Sequence, residues 1–239
     1  MWDDHLLLDR VAAWLNAVAA LALGYALLLL VVRLPAFAVR EVAVTTPAPH
    51  TTREQVQSLV ESELRGNFFT LDLEQARAAF EKLPWVRRAS LRRAWPDRLE
   101  VELEEHVALA RWRDSGLVNT YGELFEAATD QALPVFAGPS GASVEMADHY
   151  RKFQAALAPL GRSAIEVRLS ERRAWRLKLD DGYTLELGRH DAVVRVARFA
   201  AAYPQASAWL PAGVYRVDLR YPNGFAVRMP ARHGSDDAA

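Results

Sequence analysis

Cysteine is absent from all 239 residues. Its absence removes disulfides, thiolate nucleophiles and Cys-ligated metals, and leaves the redox compartment open, because oxidising compartments also hold Cys-free proteins. An excess of either charge is missing too: 29 basic and 30 acidic side chains leave a net charge of −1. No basic field therefore points to nucleic acid. The six histidines, His5, His50, His106, His149, His190 and His233, are scattered and form no His-Glu-x-x-His pair for zinc. The chain has no phosphate loop, no G-x-G-x-x-G and no G-x-S-x-G elbow. The acidic pairs Glu104-Glu105 and Asp180-Asp181 read as a strand end and a turn, because adjacent strand residues point to opposite faces. No catalytic residue, cofactor site, metal site or small-molecule substrate is expected.

What is present begins with one long charge-free run, Val11 to Val32. As a helix it would reach about 33 Å, enough to cross a bilayer core of roughly 30 Å. A signal peptide has a shorter apolar region of about 7–15 residues and a small-residue cleavage site. This run ends instead in Val31-Val32-Arg33-Leu34-Pro35, as an uncleaved anchor would. Flanking charge does not favour a cytoplasmic N-terminus, since Asp3, Asp4 and Asp9 with one arginine precede the span and Arg33 and Arg40 follow it.

Beyond the span the chain is organised around Pro84 to Trp112. Leu99, Val101 and Leu103 alternate with Arg98, Glu100, Glu102 and Glu104, the period of a half-buried strand. Val86 to Arg93 reads as its hairpin partner, and Ala94-Trp95-Pro96-Asp97 as the turn. Upstream, Arg40 to Thr45 reads as a short strand. Thr51 with Glu54 has capping-box spacing for a helix carrying Val56, Leu59, Val60 and Leu64, with Gly66 as its stop. A second helix is expected from Asp72, with Ala76, Ala79, Phe80 and Leu83 inward and Pro84 at its end. The order is strand, helix, helix, strand, strand.

A second, strand-rich body follows. Strands are expected at Val107 to Trp112 and Leu117 to Asn119, with Tyr121-Gly122-Glu123 turning into Leu124-Phe125, and then at Ile165 to Leu169, Ala174 to Leu179 and Tyr183 to Leu187, the last two joined by Asp180-Asp181-Gly182. One helix is expected from a Ser143 cap to Leu160, and another from an Asp191 cap over Ala192 to Tyr203, ended by Pro204. Tyr215 to Tyr221 and Phe225 to Met229 read as a hairpin around Pro222-Asn223-Gly224. A terminal strand without lysines or internal proline at a sheet edge is either covered or a template for a partner strand.

The segments Leu83-Pro84-Trp85-Val86-Arg87, Trp95-Pro96-Asp97-Arg98-Leu99 and Ala110-Arg111-Trp112 resemble the FtsQ/DivIB family of bacterial cell-division proteins. So do Leu133-Pro134 with Gly138-Pro139, Leu187-Gly188-Arg189, Arg198-Phe199 and Val217-Asp218-Leu219-Arg220-Tyr221, all in the family's order. The resemblance implies an α+β chain with a cytoplasmic tail at 1–10, a transmembrane helix at 11–32, a POTRA domain (β-α-α-β-β) at 37–105, a β domain with two helices at 106–230 and a disordered tail at 231–239. It implies a non-enzymatic divisome scaffold in the inner membrane at the division septum, its bulk periplasmic, that binds FtsB and FtsL. FtsK, FtsW and FtsI are implied as further partners, with septal peptidoglycan synthesis under its influence.

Carried over by position, the FtsB site falls on Arg173, Arg220, Tyr221, Gly224, Phe225, Val227 and Met229, with Arg220 meeting a partner carboxylate and the terminal strand extended by a partner strand. Arginine suits such a pairing through its bidentate fork. Arg88, Leu91 and Arg93 match POTRA positions linked to recruitment through FtsK. Thr46, Pro222 and Met229 depart from the family pattern, where a glycine, a polar residue and, in some members, a tryptophan stand. A POTRA-bearing outer-membrane assembly or secretion factor is the alternative reading; it calls for repeated POTRA units or a β-barrel. A membrane-anchored cell-wall hydrolase would need a nucleophile or metal set.

Overall fold

The computed structural model describes residues 5–32, 37–113, 116–207, 216–221 and 224–228. The first element, α1 (His5–Val32), contains a 24-residue stretch, Asp9–Val32, long and apolar enough to cross a membrane, with none of it buried against the rest of the protein. Two compact units divide between Glu105 and His106. The fold class is α+β, as expected.

In the first unit β1 (Glu41–Val44), α2 (Arg53–Glu63), α3 (Leu73–Phe80), β2 (Val86–Ala94) and β3 (Arg98–Glu105) follow the expected order. Central β3 pairs parallel to β1 (Val42 with Leu99, Val44 with Val101) and antiparallel to β2. The alternation read from the sequence is realised: Leu99, Val101 and Leu103 are buried against Leu59, Ala79 and Phe80 of the two helices. Burying each of these large side chains contributes about 1.5–3 kcal/mol.

The start of α2 differs from expectation by one residue. Thr52, not Thr51, is its cap: the Thr52 hydroxyl accepts from Gln55 N, and the Gln55 side chain accepts from Thr52 N. Thr51 instead donates to Glu105 Oε1 at 2.7 Å, and His50 binds the same carboxylate while its ring stacks on Trp85 at 4.0 Å. Burial alone would raise the Glu105 carboxyl, but the hydrogen bonds from Thr51 and His50 outweigh it and hold it below the usual range. Spacing cannot separate two adjacent threonines; this distant carboxylate does. Thr52→Ala should therefore cost about 1 kcal/mol in urea denaturation. An unchanged midpoint would remove the capping role. Asp72 caps α3 as read, accepting from Glu74 N and Gln75 N.

The second unit is a nine-stranded sheet in the order β12-β11-β10-β9-β8-β7-β4-β5-β6. Its strands are β4 (Ala108–Trp112), β5 (Leu117–Asn119), β6 (Leu124–Phe125), β7 (Val135–Ala137), β8 (Ala164–Leu169), β9 (Trp175–Leu179), β10 (Thr184–Gly188), β11 (Arg216–Asp218) and β12 (Ala226–Arg228). The sequence pattern did not indicate β7, a three-residue strand that pairs in parallel with β4 and β8 and so has no hairpin turn beside it to mark it. Helices α4 (Ser143–Leu157) and α5 (Ala192–Ser207) pack on one face, burying Met146, Phe153, Leu157 and Phe199 against Val167, Leu177, Leu185 and Val217. The opposite face is polar and mostly charged: Glu166 and Arg168, Arg176 and Lys178, Thr184 and Glu186, Arg216 and Asp218.

Two helix limits are corrected. Ser143 is the first residue of α4 and Ala142 its cap, with no side-chain hydrogen bond. Pro204 lies inside α5, which continues to Ser207. A proline near a helix end loses one amide donor without stopping the chain from turning once more. Asp191, before α5, has left-handed backbone (φ 55°), and its carbonyl accepts from Arg195 N at 2.9 Å.

Candidate functional site

The terminal hairpin is built by a crossover. After β10 the chain passes through α5 and returns as β11 parallel to β10, with Leu185 opposite Val217; β12 then folds back antiparallel, with Val227 opposite Val217. This makes β12 the outermost strand, with no strand on its other side among the described residues. Phe225 and Val227 are half-buried and pack on the core, Phe225 lying edge-on to Phe199 at 6.1 Å. Gly224, Ala226 and Arg228 alternate outward and are exposed. Phe225 and Val227 thus offer a partner their backbone more than their side chains. Met229 and the turn residue Pro222, with the tail 231–239, lie outside the described residues.

Just before the turn stand Arg220 and Tyr221. The Arg220 guanidinium grips Asp218 with Nε at 2.9 Å from Oδ1 and Nη2 at 2.6 Å from Oδ2, and Arg220 N also donates to Oδ1. Gly188 makes room for its stem: with φ +73°, a Cβ there would sit 3.2 Å from Arg220 Cγ. The Tyr221 carbonyl accepts from Arg198 Nη2 at 2.9 Å, which pins the backbone while the side chain stays 55% exposed. Arg176, Glu186, Arg216, Asp218, Arg220 and Tyr221 help line a hollow of about 420 Å³ beside the hairpin. Its chemistry suits an extended segment carrying a carboxylate: an open strand edge for the backbone, guanidinium groups for the charge and an exposed ring for packing.

Arg173 lies elsewhere on the same sheet, in the turn before β9, with left-handed backbone (φ 60°) and an ion pair to Glu145 of α4. Both arginines expected to meet a partner are therefore held by carboxylates of their own chain. Sequence reasoning missed those two residues. Asp218 carried a usable signal, sitting two residues before Arg220, whereas Glu145 is 28 residues from Arg173 and carried none.

The hydrogen bond from Arg220 is the main cause that holds the Asp218 carboxyl below its usual range, against the burial that would raise it; the same pairing raises Arg220. With a lowered folded value, the unfolded chain takes up the proton first as pH falls. The stabilisation is full above the ordinary aspartate range and disappears as pH falls through the folded value. Asp218→Asn should flatten the part of the stability–pH profile that lies below about pH 4. Urea midpoints at several pH values check it; a profile like the wild type's would show that the pair contributes nothing.

On the first unit, β2 forms the edge opposite β1. Leu91 and Arg93 share the helix-covered face, where Arg93 Nη2 donates to Leu71 O at 2.6 Å, while Arg88 projects from the other face with Ser90 and Arg92. Arg88, Leu91 and Arg93 share an edge strand, not one face.

The chain matches two family models: "POTRA domain, FtsQ-type" over residues 37–106 and "Cell division protein FtsQ/DivIB, C-terminal" over residues 110–220. It is 44% identical to a protein named Cell division protein FtsQ from Nitrosospira multiformis, over 95% of this chain and 99% of that one. Proteins of the same name from Burkholderia pseudomallei (42% identical, 95% and 94% covered) and Neisseria gonorrhoeae (32%, 95% of each) are also similar.

Proposed function

Because the chain belongs to the FtsQ/DivIB family of cell-division proteins, we propose that it is a non-enzymatic divisome scaffold that captures FtsB, in complex with FtsL, on the free edge of β12. Residues 1–10 lie in the cytoplasm and α1 crosses the inner membrane. The POTRA domain (37–105) and the β domain (106–230) face the periplasm at the septum. There the protein links early and late division proteins, is recruited through FtsK by its POTRA domain, and influences septal peptidoglycan synthesis by FtsW and FtsI.

The observation that carries the reading is the terminal position of β12 beside an exposed Tyr221 and Arg220. A partner strand aligned on that edge completes main-chain hydrogen bonds, and its carboxylate competes with Asp218 for the Arg220 fork. Gly224 has open space around it, so a strand can approach closely there. Arg173 extends the contact once it exchanges Glu145 for an acidic partner side chain.

The test is titration of the full chain, in detergent micelles, with the periplasmic end of FtsB from the same organism, with and without FtsL. Saturable binding supports the reading. A folded chain that binds neither FtsB nor the FtsB–FtsL pair rejects it.

A further inference from the structure

The end of the first unit nearest the end of α1 carries an aromatic cluster that the partner-binding reading does not use. Phe37 and Phe69 meet edge-on at 5.1 Å, Phe69 and Phe68 at 5.3 Å, and Phe68 and Trp95 at 5.8 Å. Phe68 is buried in this group, yet Trp95 is 71% exposed and Phe69 47%. So much outward aromatic surface does not contribute to the core of the unit, which lies around Phe80, Leu99 and Val101.

Its position relative to α1 is set by hydrogen bonds. Asn67, itself buried, donates its side-chain amide to the carbonyl of Val32, the last residue of α1, at 2.5 Å. The same side chain orders the loop beside it by accepting from Phe69 N and Thr70 N. Phe68 N donates to Phe37 O at 2.8 Å. Phe37 is five residues past Val32, so it cannot lie more than about 18 Å from the end of the helix. A helix whose apolar run spans about 33 Å places Val32 at the edge of the hydrocarbon layer. The Asn67–Val32 contact keeps the loop that carries Phe68 and Phe69 beside that edge, and the headgroup layer there is where amphipathic tryptophan is favoured.

We propose that this end of the domain, with Trp95 and Phe69 as anchors, rests in the headgroup layer of the bilayer that α1 crosses. Two carboxylates beside it are each met by a guanidinium, Asp97 by Arg40 and Glu41 by Arg98, while Arg93 donates to Leu71 O. The contact fixes the tilt of the domain. The nine-residue β2 ends at this tip, and its start lies about 26 Å away along the strand.

This inference rests on α1 as the membrane anchor, and the test separates the two. The chain has no cysteine, so a single engineered one takes a spin label without background. Full-length chains carrying Ala20→Cys, Ala94→Cys or Lys82→Cys are reconstituted into vesicles of phosphatidylethanolamine and phosphatidylglycerol. Collision with oxygen, which partitions into lipid, is compared with collision with a water-soluble nickel chelate. Position 20 should be lipid-like, position 82 aqueous, and position 94 shifted strongly towards oxygen. Adding Trp95→Ala with Phe69→Ala, both exposed positions, should return position 94 to the value at position 82, and Trp95→Phe should keep most of the shift.

An aqueous position 94 beside a lipid-like position 20 overturns the inference and leaves the aromatic end for water or another protein. A shift that survives the double substitution also overturns it. An aqueous position 20 rejects the anchor itself.

Discussion

Tyr221→Ala should weaken FtsB capture by at least about tenfold, the size of effect that an exposed aromatic anchor produces at an interface. The backbone at this position is held by Arg198 at the carbonyl, so removing the ring leaves the hairpin in place. The side chain points outward and takes no part in the buried core, so the variant should unfold at the wild-type urea concentration. Titration against the FtsB periplasmic segment, with circular dichroism as the folding check, decides it. Wild-type affinity in the folded variant would detach the site from this hairpin. Arg220→Glu is a less clean probe, because it sets a second carboxylate against Asp218, and like charges at that spacing disturb the fold as well as the binding.

Phe199→Ala should destabilise the second unit by about 3–5 kcal/mol, the usual cost of emptying a fully packed aromatic site. Phe199 is 2% exposed on α5, tilted against Tyr203 at 5.3 Å and in reach of Phe225 at 6.1 Å. Its loss empties the space beneath β12 and should loosen the partner edge before the unit as a whole unfolds. Hydrogen exchange at Phe225 to Arg228 should rise more than at β9, and chemical denaturation gives the global cost. Val194 on the same helix is 65% exposed, and Val194→Ser should stay within about 0.5 kcal/mol of wild type. Equal effects at the two positions would contradict this account of the core.

Local chemistry made much of this visible in advance. The period of two over Arg98 to Glu104 reports one buried face, and a slip of one residue would expose Leu99, Val101 and Leu103 together. Asp72 has the short acceptor side chain that suits a helix start and serves as one. Neighbouring candidates were harder to separate. Thr51 and Thr52 are chemically alike, and only Glu105, more than fifty residues away, assigns them different tasks. Pro204 is a helix breaker by propensity, yet it falls in the last turn of α5, where it removes one amide donor and the helix still reaches Ser207.

The sequence by itself determined the membrane-length helix, the strand–helix–helix–strand–strand order, the inward residues of the main strands and the family. Each depends on spacing within about twenty residues or on a motif read in order. Tertiary structure alone decided that β12 is the outermost strand, because that follows from β11 returning parallel to β10 after α5. It also decided that Arg173 is held by Glu145, that Arg220 is gripped by Asp218, and that Trp95, Phe69 and Phe37 converge at the end of α1. Strand neighbours, ion pairs and aromatic clusters join residues far apart in the chain. Local periodicity holds no record of which of them will meet.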